Sequence, residues 1–274
     1  MKRILVPTDF SKCAGKAMSY ALEIALHTNA EILCLHSISP YEGVDVDGSG
    51  LLWIREYQEA KAKTLNTWVK KFKRDARFKE LNITTKCNIG FTVTDIKESA
   101  KSFNADLIVM GTTGATGVGG MLFGSVAGGV ISATTTPTFL VPISAKFDIL
   151  NNFALATDFQ NQCSKESIEV MNDLLNAHKQ STLKVVHVLP EKAKNPPTQK
   201  EKDMQQKMKG INLEFTYMHD ENVPRAINNF LDVSKTKVLC VISHHHGYLH
   251  KLFKGSTTKK LAFQAHTPML VLFD

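Results

Sequence analysis

The chain opens on a short apolar run, Ile4-Leu5-Val6, that stops at Pro7-Thr8-Asp9. Apolar residues then return at Ala14, Ala17, Met18, Ala21, Leu22 and Ala25, the three-and-four spacing of one helix face, with Ser11 placed to cap it. Further short apolar runs stand at Ile32 to Leu35, Leu107 to Met110 and Thr138 to Val141. Between them, Leu65, Trp68, Val69 and Phe72, and later Ile96, Ala100 and Phe103, again keep helical spacing. Short buried strands alternating with helices predict an α/β fold, a parallel sheet covered by helices. Ligands of such sheets bind beyond the carboxyl ends of the strands, which puts Pro7-Thr8-Asp9 and the segment after Met110 on one rim.

The pattern occurs twice. Ile4-Leu5-Val6-Pro7-Thr8-Asp9-Phe10 is echoed by Phe153-Ala154-Leu155-Ala156-Thr157-Asp158-Phe159. Leu35-His36 then matches Val186-His187, Gly124-Ser125 matches Gly255-Ser256, and Thr136-Pro137 matches Thr267-Pro268, in the same order. Ordered matches indicate a duplication. The offset falls from 149 positions at Thr8 and Thr157 to 131 at Gly124 and Gly255, so the second copy lacks a stretch in its middle. The boundary falls near Ser144 to Leu150, giving domains 1–145 and 146–274. Each copy is expected to form the same parallel-sheet fold, and the two to meet through their apolar closing strands, Thr138 to Val141 and Met269 to Phe273.

The most specific local feature follows Leu107-Ile108-Val109-Met110: Gly111-Thr-Thr-Gly114, nine residues, then Gly124-Ser125 opening a helix-compatible stretch. Glycines let a backbone approach phosphates closely, and a helix N-terminus supplies free N–H donors. The competing reading, a flexible loop with glycines packed on the sheet, is disfavoured by the loop's position directly after a strand. Two commoner phosphate loops fail. Gly119 and Gly124 have Walker spacing, but Ser125 stands where the lysine belongs, and Gly117-Val-Gly119 is followed by Leu122 rather than glycine.

The glycine pattern, preceded by an apolar strand ending in Pro-Thr-Asp, resembles the universal stress protein family over the whole chain, as two copies. That resemblance implies two tandem adenine-nucleotide alpha-hydrolase-like (Rossmann-like) domains, each a five-stranded parallel sheet between helices. It also implies an ATP site, with Mg²⁺ or Mn²⁺ carried by the nucleotide. By position, Pro7, Thr8 and Asp9 would flank the adenosine and Ser37 would sit beside the adenine after the second strand, where the family commonly has valine. Met110, Gly111 and Gly114 would line the nucleotide, and Gly124, Ser125 and Val126 would hold the phosphates. In the second copy Ser243-His244-His245-His246 replaces the first glycines, although Gly255-Ser256 remain. Side chains restrict the backbone that glycine leaves free, so that half reads as structural or regulatory and one nucleotide per chain is expected.

Composition narrows the alternatives. No apolar run approaches the roughly 18 residues of a membrane helix, the first residues are too short for a signal-peptide core, and five scattered cysteines without a CxxC pair fit a reducing cytoplasm. The net charge of +7 admits anionic ligands but selects none. The basic stretch Lys61 to Lys79 is interrupted by Leu65, Trp68, Val69 and Phe72, so it reads as the solvated side of an amphipathic helix rather than a nucleic-acid surface. His246 and His250 have helical metal-pair spacing, but no cysteine or carboxylate nearby completes the set, and no metal ligand is assigned. Cys13 lies where a helix N-terminus can lower a thiol's pKa; a small core cysteine is the preferred reading. Three functions compete: an ATP-binding stress-response module acting through occupancy and protein partners, an interaction scaffold, and a weak ATPase or phosphotransferase. Without a Walker lysine or an evident base, no catalytic residue is assigned and binding leads. Pairing of the two copies within the chain is expected, with a homodimer as a further assembly.

Overall fold

Helices cover both faces of β1 (Arg3–Pro7), so Ile4, Leu5 and Val6 are all fully buried and the strand reads as an unbroken apolar run. The computed structural model describes residues 1–42, 50–113, 124–146, 152–159, 163–177, 182–191, 198–243 and 266–274. After β1 come α1 (Lys12–Thr28), β2 (Glu31–Ile38), α2 (Gly50–Phe72), β3 (Ile83–Ile89), α3 (Thr92–Phe103), β4 (Leu107–Gly111), α4 (Ser125–Ala133) and β5 (Thr138–Val141). The succession then recurs as β6 (Phe153–Ala156), α5 (Lys165–Ala177), β7 (Thr182–Leu189), α6 (Thr198–Lys207), β8 (Asn212–His219), α7 (Val223–Ser234), β9 (Val238–Ser243) and β10 (Met269–Phe273).

The ten strands form one sheet in the order β3-β2-β1-β4-β5-β10-β9-β6-β7-β8. Each run of five has the same internal order, with its first strand between its second and fourth. All pairs are parallel except the joint, where β10 runs antiparallel to β5 and Leu270 faces Phe139. The apolar closing strands therefore meet, and their opposed directions send the carboxyl ends of the two sets of strands to opposite edges of the sheet.

Alternation along the strands splits the core into two layers. Ile4 and Val6 pack with α1, α2 and α5 on one face; Leu5 packs with α3, α4 and α7 on the other. The first layer runs across the joint: Tyr20 of α1 meets Phe139 of β5 at 5.9 Å between ring centres, and Phe139 and Phe153 are fully buried.

Helix α1 starts as its sequence predicts. Ser11 Oγ accepts from Ala14 N at 3.1 Å, and Asn29 ends the helix in the left-handed region at φ 56°. In α2, Leu65 and Val69 are buried, and Trp68 and Phe72 pack against them while Lys63, Lys70 and Lys71 are exposed. The helix ends at Phe72, so Lys73, Arg74, Arg77 and Lys79 lie beyond it. Cys13 is a core residue whose thiol donates to Val141 O at 3.3 Å. Burial pushes the Cys34 thiol up to about 12 and raises that of Cys240 as well, so both pack as neutral side chains. Among the described residues no helix is long and apolar enough to cross a membrane.

Candidate functional site

Past the end of β1 the chain makes a tight corner. Thr8 N donates to Leu35 O at 2.8 Å, extending the ladder by one residue, and Phe10 N donates to Thr8 Oγ1 at 3.0 Å. Phe10 is left at φ 64°, a conformation costly for a bulky residue. Its ring is held 4.4 Å from that of His36 and 6.0 Å from that of Trp68. His36 secures the corner with its Nδ1–H, which donates to Thr8 O at 2.8 Å; the buried Nε2 has no hydrogen-bond partner among the described residues. Asp9 Oδ1 accepts from Ser11 N at 3.0 Å, which links the corner to the start of α1.

This corner is one wall of a cavity of about 530 Å³, a size that holds a small-molecule ligand. Pro7, Thr8 and Asp9 line it from β1, Met110 and Gly111 from the end of β4, and Gly124, Ser125 and Val126 from the start of α4. Ser37 lines it from β2; expected just past that strand, it lies inside it, paired with Asn88 of β3. Nine of the ten residues singled out in the sequence thus surround one cavity. The tenth, Gly114, lies outside the described residues, as do His244, His245, His246, His250, Gly255 and Ser256.

Helix α4 meets the cavity with its N-terminus. Gly124 occupies the cap position at φ −69° and ψ 167°, and among the described residues no side chain caps the helix. The first N–H groups of a helix have no partner within it and carry the positive end of its dipole, the arrangement that receives an anion. Gly124 is itself anchored by its N–H to Thr112 O at 2.6 Å.

Gly111 has a packing duty besides lining the cavity. It is the last residue of β4, paired with Val141, and a β-carbon there would stand 2.7 Å from Cys13 Sγ and 3.2 Å from the Cys13 carbonyl carbon. Close packing of α1 on the strand end excludes any side chain.

Several cavity residues carried no sequence signal of their role. Lys61, counted with the solvated charges of α2, is half-buried and lines the cavity, its Nζ 5.1 Å from the Tyr57 ring. Glu42 lines the same side and accepts from Tyr57 Oη at 3.4 Å. His36 did carry a signal, since Leu35-His36 was one of the repeated dipeptides. Behind Ser37 stands Asp95, a buried carboxylate that no motif marked.

In the second half the corner is rebuilt. Phe159 N donates to Thr157 Oγ1 at 3.0 Å, Phe159 sits at φ 57°, and the His187 Nδ1–H donates to Thr157 O at 2.6 Å. Around it the lining differs: Val188 stands at the place of Ser37, and by strand register Ile242, paired with Leu272, rather than Ser243, stands at the place of Gly111.

Residues 1–142 match the model of the universal stress protein family. One universal stress protein of Methanocaldococcus jannaschii is 36% identical over 142 residues, covering 51% of this chain and 81% of the relative. A second from the same organism is 30% identical over 157 residues, covering 51% and 94%. The crystal structure of a universal stress protein from Archaeoglobus fulgidus superposes with a TM-score of 0.75 at 21% identity, covering 98% of this chain and 97% of that one, so the fold is shared over both halves.

Proposed function

Because the chain belongs to the universal stress protein family, we propose that its first half is an ATP-binding module and that the protein works by occupancy of that site. In this reading the chain is a tandem of domains 1–145 and 146–274, of which only the first takes nucleotide, and it serves as a cytoplasmic regulatory protein in the stress response with protein partners yet to be identified.

The observation that carries the reading is the meeting of a helix N-terminus with the corner after β1 across one cavity. The phosphates would lie at Gly124, Ser125 and Val126, where N–H donors and the helix dipole favour negative charge. Pro7, Thr8 and Asp9 would flank the ribose, Ser37 would meet the base, and Met110, Gly111 and Gly114 would line the path between. β2 is separated from β4 by β1, so at about 4.8 Å per strand the β2 wall that carries Ser37 and the β4 wall stand roughly 10 Å apart, a separation suited to a nucleotide lying across the rim. Lys61 adds a cation to the wall. Mg²⁺ or Mn²⁺ would arrive on the phosphates, with Asp9 the nearest carboxylate to the corner.

Ser125→Asp tests the assignment without threatening the fold, since a carboxylate in the first turn suits the helix dipole yet repels a phosphate. By calorimetry with ATP and Mg²⁺, the variant should lose about tenfold or more in affinity at an unchanged melting temperature. Equal affinity in the two proteins, or no binding by nucleotide-free wild type, would refute it. Phosphate release should stay far below the rate of about 1 per second that marks an ordinary enzyme, because Ser125 stands where a phosphate-loop lysine would serve the transferring group. Rapid release that disappears in Ser125→Ala with binding retained would make the protein an enzyme.

A further inference from the structure

A buried carboxylate stands directly behind the base end of this cavity. Asp95, the fourth residue of α3, is 8% exposed and accepts hydrogen bonds from three side chains. Ser37 Oγ–H donates to its Oδ2 in a short bond, Asn88 Nδ2 donates to Oδ1 at 2.6 Å, and Ser99 Oγ donates to Oδ1 at 3.4 Å. Of these, Ser37 is the member that lines the cavity.

The second half shows that the fold does not require this network. Ser37 pairs with Asn88 across β2 and β3; the matching pair across β7 and β8 is Val188 with Met218. The fourth residue of α7 is Ala226, and the eighth is Phe230 where α3 has Ser99. An apolar corner packs there without the penalty of burying a carboxylate, which is unfavourable even when well hydrogen-bonded. The polar version stands at the wall of the first half's cavity.

A hydroxyl has one proton, and that of Ser37 is committed to an acceptor-only carboxylate, so only lone pairs remain for a ligand. Resting on the ATP reading, we propose that Asp95 is a positioning residue that makes Ser37 an acceptor at the base end of the site. The site therefore selects a purine carrying an amine, rather than a carbonyl, at C6. An amine donates to Ser37; a carbonyl would set lone pairs against lone pairs and leave both groups unpaired.

Competition between ATP and ITP, which differ at C6, reads this directly. Wild type should favour ATP by about tenfold or more. In Asp95→Asn the amide oxygen is held by Asn88 and Ser99, so its NH₂ turns to Ser37 and frees the hydroxyl proton toward the cavity. The ATP-to-ITP ratio should then fall by about tenfold, and Ser37→Ala, which removes the acceptor, should lower it as well. A merely structural Asp95 would weaken both nucleotides alike and leave the ratio in place. An unchanged ratio in Ser37→Ala, or in a folded Asp95→Asn, with ATP still bound would overturn the inference alone. Wild type that takes up neither nucleotide would overturn the ATP reading itself.

Discussion

At the end of β1 the chain turns through Thr8, Asp9 and Phe10; at the end of β6 it turns through Thr157, Asp158 and Phe159 in the same way. Each turn has a threonine hydroxyl accepting from the phenylalanine N–H, a phenylalanine in the left-handed region, and a histidine from the neighbouring strand donating to the threonine carbonyl. Yet in the first half the corner opens on a cavity lined by Gly111, Ser37 and the start of α4, while in the second the positions matching Gly111 and Ser37 hold Ile242 and Val188. The contrast separates two duties. The corner closes a strand end over a helix and serves the fold in each half, whereas the glycine and the Ser37–Asp95 network belong to the first half, where they stand at the wall of its cavity.

If that separation is right, the largest difference between the halves is in binding. Titration with ATP and Mg²⁺ should saturate at one equivalent per chain, and saturation at two would erase the asymmetry. Next in size is Gly111→Ala, whose added carbon meets Cys13 Sγ at 2.7 Å and the Cys13 backbone at 3.2 Å. It should cost about 1–3 kcal/mol in urea unfolding. Cys13→Ala in the same chain should recover only part of the loss, because the backbone contact stays. Ile242→Val at the matching place in β9 adds no atom and should cost less, about 1 kcal/mol; equal losses would mean that Gly111 is not the tighter site.

A smaller effect tests what the halves share. His36→Ala and His187→Ala each remove the bond that ties a threonine carbonyl, but His36 is buried and His187 half-buried. We expect about 2 kcal/mol for the first and about 1 kcal/mol for the second, measured as shifts in the unfolding midpoint. A loss confined to His36→Ala would show that only the first corner bears on stability. The smallest change expected is from Val188→Ser, which introduces a hydroxyl where Ala226 offers no carboxylate. Stability should move by no more than about 1 kcal/mol and the ATP stoichiometry should not move. A second equivalent gained by this one change would make Ser37 by itself the determinant.

Much of this molecule follows from short-range pattern. The unbroken apolar run before Pro7 could only be a strand covered on both faces, the spacing from Ala14 to Ala25 could only be a helix, and Ser11 caps it as its position predicts. Two runs of equal pattern implied two copies of one fold, the family resemblance implied five strands in each, and the strand ends at Pro7-Thr8-Asp9 and Met110 implied which residues share a rim. Such features are legible because periodicity and turn chemistry are properties of neighbours along the chain. What the residues meet across the fold was decided elsewhere. The apolar closing strands foretold that they would pair, but not that they run antiparallel and turn the two rims to opposite edges of the sheet. Gly111 looked like a phosphate-loop glycine and proves to be held bare by Cys13, 98 positions earlier in the sequence. Lys61 counted as a solvated charge, and Asp95 carried no mark at all, until α2 and α3 were laid against β2 and β3. A partner tens of residues away is set by strand order and register, and only the packed sheet brings the two side chains within reach.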